Sequence, residues 1–252
     1  MKTIDLAINL KGVWKEYHSP IRKREKFNAI ENVSMKIHKG DKVGIIGENG
    51  AGKTTILKLI AGIIKPTRGS VETQGQLIYL INLEAGFNEE LTGRENILLN
   101  GMIYGLTREE VVVEEKKIID FADIGEFIDA PFFVYSSGMK FRLALAVGLA
   151  AKPDIILMDE VFMAGDIDFQ IKTLKKIERL TRDRNITLVI ASHYPLILRK
   201  YCDHFLVLRK GRLVDSGVEA IKSLTQKWNS YFADVPMTEG ETMVSEDIFY
   251  QR

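Results

Sequence analysis

The chain of 252 residues has a single cysteine, Cys202, so it can form no internal disulfide, and a reducing cytoplasm is the expected setting. Cys202 and the four histidines, His18, His38, His193 and His204, show no metal-ligand spacing, which excludes a zinc-type centre built from them. No apolar run nears the roughly 18 residues of a membrane span. The N-terminus, Met1-Lys2-Thr3-Ile4-Asp5-Leu6, meets an acid and polar residues too early for a signal peptide. Any membrane role is therefore expected to come through a partner. An excess of one charge is missing too: 35 Lys and Arg against 34 Asp and Glu leave a net charge of +1. There is no whole-molecule field to gather nucleic acid or anionic lipid, and no nucleic-acid partner is expected. The local basic run Arg22-Lys23-Arg24-Glu25-Lys26 reads as a solvated loop. No internal repeat or low-complexity block is visible.

What is present is dominated by Gly47-Glu48-Asn49-Gly50-Ala51-Gly52-Lys53-Thr54, which fits the phosphate-binding pattern G-x-x-x-x-G-K-[ST]. The glycines let successive backbone N–H groups turn toward phosphate oxygens. Lys53 reaches the outer phosphates, and the Thr54 hydroxyl is placed to ligate Mg²⁺. The flanks agree, since Lys42 to Ile46 has the β-branched character of a buried strand. Thr54-Thr55 to Ala61 has helical apolar spacing and ends at Gly62. A nucleoside triphosphate is the expected ligand.

Along the chain, Ile30, Val33, Met35 and Ile37 face inward from an expected antiparallel strand over residues 27 to 37. Ser70 to Thr73 and Gln76 to Ile81 read as two strands around a Gly75 turn. From Leu91 to Ala151 the spacing becomes helical, with Arg94 to Tyr104, a capping box at Thr107 and Glu110, and Gly138 to Ala151. Two apolar runs follow, Asp154 to Glu160 and Ile186 to His193, with helical spacing in Ile171 to Leu180 between them. A hairpin is expected to turn at Lys210-Gly211. The fold class is α/β: a P-loop NTPase (RecA-like) core with an antiparallel β subdomain and an inserted helical subdomain over about 84–151. The nucleotide-binding domain spans 1–235, and an acidic tail, 236–252, carries Glu239, Glu241, Glu246 and Asp247.

Both apolar runs end in polar residues, where ligands sit in open parallel sheets. Asp159 is then the expected acid for Mg²⁺ and Glu160 the base that polarises the attacking water. His193 is placed to hydrogen-bond the terminal phosphate. Ser136, Ser137 and Gly138 precede or open a helix, so their hydroxyls and N–H groups form a second anion-binding helix terminus.

The order of these elements, a phosphate loop, a helical insertion closing in Tyr135-Ser136-Ser137-Gly138-Met139, a strand ending in Asp159-Glu160 and a strand ending in His193, resembles the ATP-binding cassette (ABC) family over residues 7 to 220. The resemblance implies two cassettes packed head to tail, with each ATP clamped between one phosphate loop and the partner's Ser136, Ser137 and Gly138. It implies that Tyr17 stacks on adenine and that Asp166 belongs to a dimer-contact loop. The family glutamine at the start of the helical lobe is absent from Leu80-Ile81-Asn82-Leu83-Glu84-Ala85-Gly86-Phe87; Glu84 or Asn82 stands in, with Glu84 taken as the candidate Mg²⁺ contact.

The spelling Glu84-Ala85-Gly86-Phe87-Asn88-Glu89-Glu90-Leu91-Thr92-Gly93-Arg94-Glu95-Asn96-Ile97 is similar to that of ATPases exporting polysaccharides, O-antigen, capsule or teichoic acid. The resemblance implies an ATPase with ATP and Mg²⁺ as cofactors, peripheral on the cytoplasmic face of the cell membrane. Its partners would be a second cassette and a separate membrane-spanning permease, the complex rather than this chain alone handling a lipid-linked glycan. A soluble ATPase acting on ribosomes or DNA is the alternative.

Overall fold

The computed structural model describes residues 5–18, 25–81, 83–159, 167–193 and 195–216. A central sheet of six strands has the order β5-β6-β7-β3-β8-β9, built from β3 (Lys42–Ile46), β5 (Leu77–Tyr79), β6 (Ile155–Met158), β7 (Thr187–Ser192), β8 (His204–Arg209) and β9 (Arg212–Ser216). All pairings are parallel except the β8–β9 hairpin. That hairpin turns through Lys210 (φ 47°) and Gly211 (φ 78°), the left-handed pair a two-residue turn needs to match strand twist.

A second sheet, β2-β1-β4, is antiparallel and joins β1 (Leu6–His18), β2 (Lys26–His38) and β4 (Arg68–Thr73). Ile30, Val33, Met35 and Ile37 are buried on β2, as their spacing predicts. The Gly75 turn is present (φ 105°), but the strands on either side of it do not pair. β4 lies against β1 (Leu10↔Val71), whereas β5 lies against β6 (Ile78↔Ile156). At the change of sheet, Asp154 Oδ2 accepts from the Gln76 N–H at 2.7 Å.

Every residue of β6 is buried, and its side chains alternate between two cores. Ile155 and Leu157 join the layer beneath α1 (Lys53–Ile60) and the antiparallel sheet. Ile156 and Met158 face the opposite layer, shared with helix α4 (Ser137–Ala150). A strand covered on both faces reads as a continuous apolar run because neither face meets water.

From Leu83 to Ala150 the regular elements are helical: a 3-10 turn at Leu83–Gly86, α2 (Gly93–Ile103), α3 (Arg108–Ala122), 3-10 turns at Gly125–Asp129 and Phe132–Val134, and α4. The Thr107–Glu110 capping box opens α3 as expected. A second one, Thr92 with Glu95, opens α2. Helix α5 (Ile167–Arg184) links β6 to β7, and α6 (Pro195–Tyr201) leads into β8. The acidic tail lies outside the described residues.

Candidate nucleotide-binding site

The C-terminal ends of β3, β7 and β6 lie side by side, with Ile46 opposite Ser192 and Met158 opposite Ile190. The phosphate loop, His193 and Asp159 therefore leave the sheet at one edge. A Cβ on Gly47 would overlap the carbonyl oxygen of Leu208, and one on Gly52 (φ 105°) would come within 2.6 Å of the Ala29 carbonyl oxygen. Glycine is required at both positions by close approach of neighbouring backbone. Ala51 completes the clamp: its carbonyl accepts from the Gly211 N–H at 2.9 Å, and its own N–H donates to Glu48 at 3.1 Å. Glu48, Asn49 and Gly50 form the exposed crest of the loop.

Helix α1 starts at Lys53 with no side-chain cap and no acid in its first turn. Its first N–H groups and positive dipole end are thus offered to an anion. Lys53 is only 6% exposed, and its ammonium folds back to donate to the carbonyls of Gly47 at 2.6 Å and Glu48 at 3.2 Å. A buried ammonium held by loop carbonyls is a charge kept in place for phosphate oxygens. Thr54 stands exposed at the helix start with Thr55 partly buried behind it.

The Thr54 hydroxyl donates to Asp159 Oδ2 at 2.6 Å, across 105 residues of sequence. Asp159 is 5% exposed. One hydroxyl and one carboxylate are the hard oxygen donors that Mg²⁺ takes from a protein when phosphates and water complete its octahedron. No cluster of three His, Cys, Asp or Glu side chains suited to a metal occurs among the described residues. His193 follows β7, partly buried beside the buried Ser192. Glu160 and Asp166 lie outside the described residues, as does Asn82.

Tyr17 is at the far end of β1, paired with Phe27. Their ring centroids are 5.8 Å apart, and the Lys15 ammonium lies 5.2 Å from the Tyr17 ring. Glu84 lies in the 3-10 turn Leu83–Gly86, partly buried, and feels the charges of Lys140 and Glu89. Burial raises its pKa, with Lys140 opposing and Glu89 adding to the shift.

Ser136, Ser137 and Gly138 are exposed at the start of α4. The Ser136 hydroxyl caps the helix by accepting from the Met139 N–H at 3.2 Å. At 1.5 Å per residue, Ser136 is about 18 Å along α4 from Gly148, where the helix meets Ile78 of β5.

This signature corner is firmly mounted. Tyr135 is buried and donates to the Phe127 carbonyl. Its ring packs 5.2 Å from Phe132, which stacks 4.9 Å from Phe87. Asn96, fully buried, donates to the carbonyls of Asn88, Leu91 and Thr92 and accepts from the Asn88 N–H. Sequence reading missed these anchors, although the Thr92-x-x-Glu95 capping pattern was there to be found.

A sequence profile described as ABC transporter matches residues 30–163. Over 195 residues the chain is 46% identical to the O-antigen export system ATP-binding protein RfbB of Klebsiella pneumoniae, covering 77% of this chain and 79% of that protein. It is 45% identical to the protein of the same name from Myxococcus xanthus, covering 69% of this chain and 40% of the other. ABC transporter protein AbcA of Aeromonas salmonicida is 38% identical, with 76% and 62% covered. Among solved structures, an ATP binding subunit of an ABC transporter superposes with a TM-score of 0.73 at 23% identity, covering 88% of this chain and 93% of that one. A dimeric ATP-binding cassette, MJ0796, bound to ADP and Pi gives 0.70 at 24%, covering 83% and 97%; these likenesses establish the fold. With the phosphate loop, the Thr54–Asp159 pair and the mounted signature corner on one such fold, the chain belongs to the ABC transporter family.

Proposed function

We infer that this chain is the ATP-hydrolysing subunit of an ABC transporter that exports a lipid-linked polysaccharide of the O-antigen class across the cytoplasmic membrane. The observation that carries the ATPase reading is the Thr54–Asp159 hydrogen bond, which joins the phosphate loop to the end of β6 with oxygen donors suited to Mg²⁺. The names of the relatives support the cargo class.

When bound, Mg²⁺ would neutralise the outer phosphates. The protein groups do the rest: Lys53 and the α1 N-terminus bind phosphate oxygens, Tyr17 packs on the base, Glu160 orients water and His193 contacts the terminal phosphate. Ser136, Ser137 and Gly138 serve the partner copy's nucleotide, a role supported by their exposure. Closure of such a dimer does work only if ATP is held more tightly closed than open.

No helix among the described residues is long and apolar enough to cross a membrane. Attachment at the cytoplasmic face through a separate permease is the arrangement the names of the exporting relatives support. Exposed Leu99, Met102 and Ile103 on α2, with Phe133 nearby in sequence to the signature corner, supply apolar surface suited to it.

The experiment is Glu160→Gln in the purified full chain with its permease. Hydrolysis is expected to fall about 10²- to 10⁴-fold while ATP-dependent dimerisation persists. Turnover at the unsubstituted rate would remove Glu160 from its role.

A further inference from the structure

Tyr79 closes β5 in register with Leu157 of β6, and both side chains lie in the core layer beneath α1. Strand alternation brings Asp159, two residues beyond Leu157, to that same face, where Thr54 of α1 meets it. The phenol is 8% exposed. Its buried hydroxyl has no hydrogen-bond partner among the described residues. A buried donor without an acceptor destabilises the fold that holds it, and native proteins fill most such groups. Phenylalanine would pack the same space without that cost. Burial and, after it, the charge of Asp159 push the Tyr79 pKa well above the ordinary range.

We propose that Tyr79 is a positioning residue for Asp159: its hydroxyl is reserved for the metal-loaded site, where it donates to a water shared with the Asp159 carboxylate and fixes that carboxylate's orientation. This rests on the nucleotide-site reading above and names a residue outside the family motifs. Outer partners that orient a metal's ligand commonly contribute 10- to 100-fold to metal affinity.

The test is ADP binding to the purified full chain by calorimetry, with Mg²⁺ and with EDTA, for the unsubstituted protein and Tyr79→Phe. The Mg²⁺-dependent gain in ADP affinity is expected to fall about tenfold in Tyr79→Phe. ADP affinity in EDTA should not change, and the melting temperature should hold or rise. In an Asp159→Asn background the same substitution should cost nothing further, because the two groups act as one unit. An equal Mg²⁺-dependent gain in both proteins would overturn the proposal. So would a full tenfold loss persisting in the Asp159→Asn background, or a lowered melting temperature as the only effect. If the unsubstituted chain failed to bind ADP at all, the nucleotide-site reading itself would fall and carry this proposal with it.

Discussion

The phosphate loop and the signature corner are both helix starts, yet the chain treats them oppositely. At the phosphate loop, behind the exposed crest of Glu48 to Gly50, the contacts are made within the chain: Lys53 onto loop carbonyls, Thr54 onto Asp159, and Gly47 and Gly52 against Leu208 and Ala29. At Ser136 to Gly138 a Cβ added to Gly138 would meet nothing closer than the Ser136 hydroxyl at 3.9 Å, and the surface faces outward. The first site is shaped by its own protomer. The second is rigidly mounted through Tyr135 and left open, which fits a surface whose contacts are made by another molecule.

That contrast gives ordered expectations. Lys53→Ala strikes the phosphate loop and should reduce ATP hydrolysis about 10³-fold, with nucleotide binding lost in parallel, as read by ATPase assay and calorimetry. Gly138→Asp should reduce hydrolysis about 10²-fold through the partner's site. The isolated protomer should still bind ADP and melt no lower, since an acid at a helix N-terminus is favourable there. A loss of folding in that variant would show that the corner is not free.

Gly93→Ala tests the mounting itself, because the new methyl would overlap the Tyr135 hydroxyl and press on the Ile128 carbonyl. Denaturant unfolding should show a loss of about 1–3 kcal/mol. The smallest effect concerns Glu84. Burial raises its pKa above the ordinary 4.5, so the folded chain holds the proton more tightly than the unfolded one. Its contribution to stability is full below pH 4.5 and is lost as pH rises through the folded value. Glu84→Gln should therefore be more stable at pH 7, by about 0.5 kcal/mol or less for so solvated a group, and the difference should vanish near pH 4.

Much of the catalytic edge was legible in local sequence. The phosphate loop is continuous, its spacing reflects backbone geometry, and Asp159 follows an apolar run that had to be a buried strand. The capping box at Thr107 and the turn at Lys210-Gly211 are equally local and are found where expected. The strands around Gly75 show the limit: each was recognisable, but their partners, Leu10 for Val71 and Ile156 for Ile78, lie tens of residues away. Pairing of that kind is chosen by which faces the folded layers must bury. Tyr135 and Asn96 were hidden for another reason: their acceptors, Phe127 for one and Asn88, Leu91 and Thr92 for the other, are near in sequence but lie in irregular turns that no apolar periodicity marks.

The sequence by itself determined the chemistry offered to a triphosphate, since a glycine-rich turn, a lysine and a threonine in fixed spacing define a phosphate cradle wherever the chain goes. Only the tertiary structure decided that Asp159 would meet Thr54, that Tyr79 would bring an unpartnered hydroxyl to the same face, and that Ser136 would stand exposed beside an anchored Tyr135. Those outcomes depend on strand order and helix length, which align residues far apart in the chain through burial rather than through any local preference.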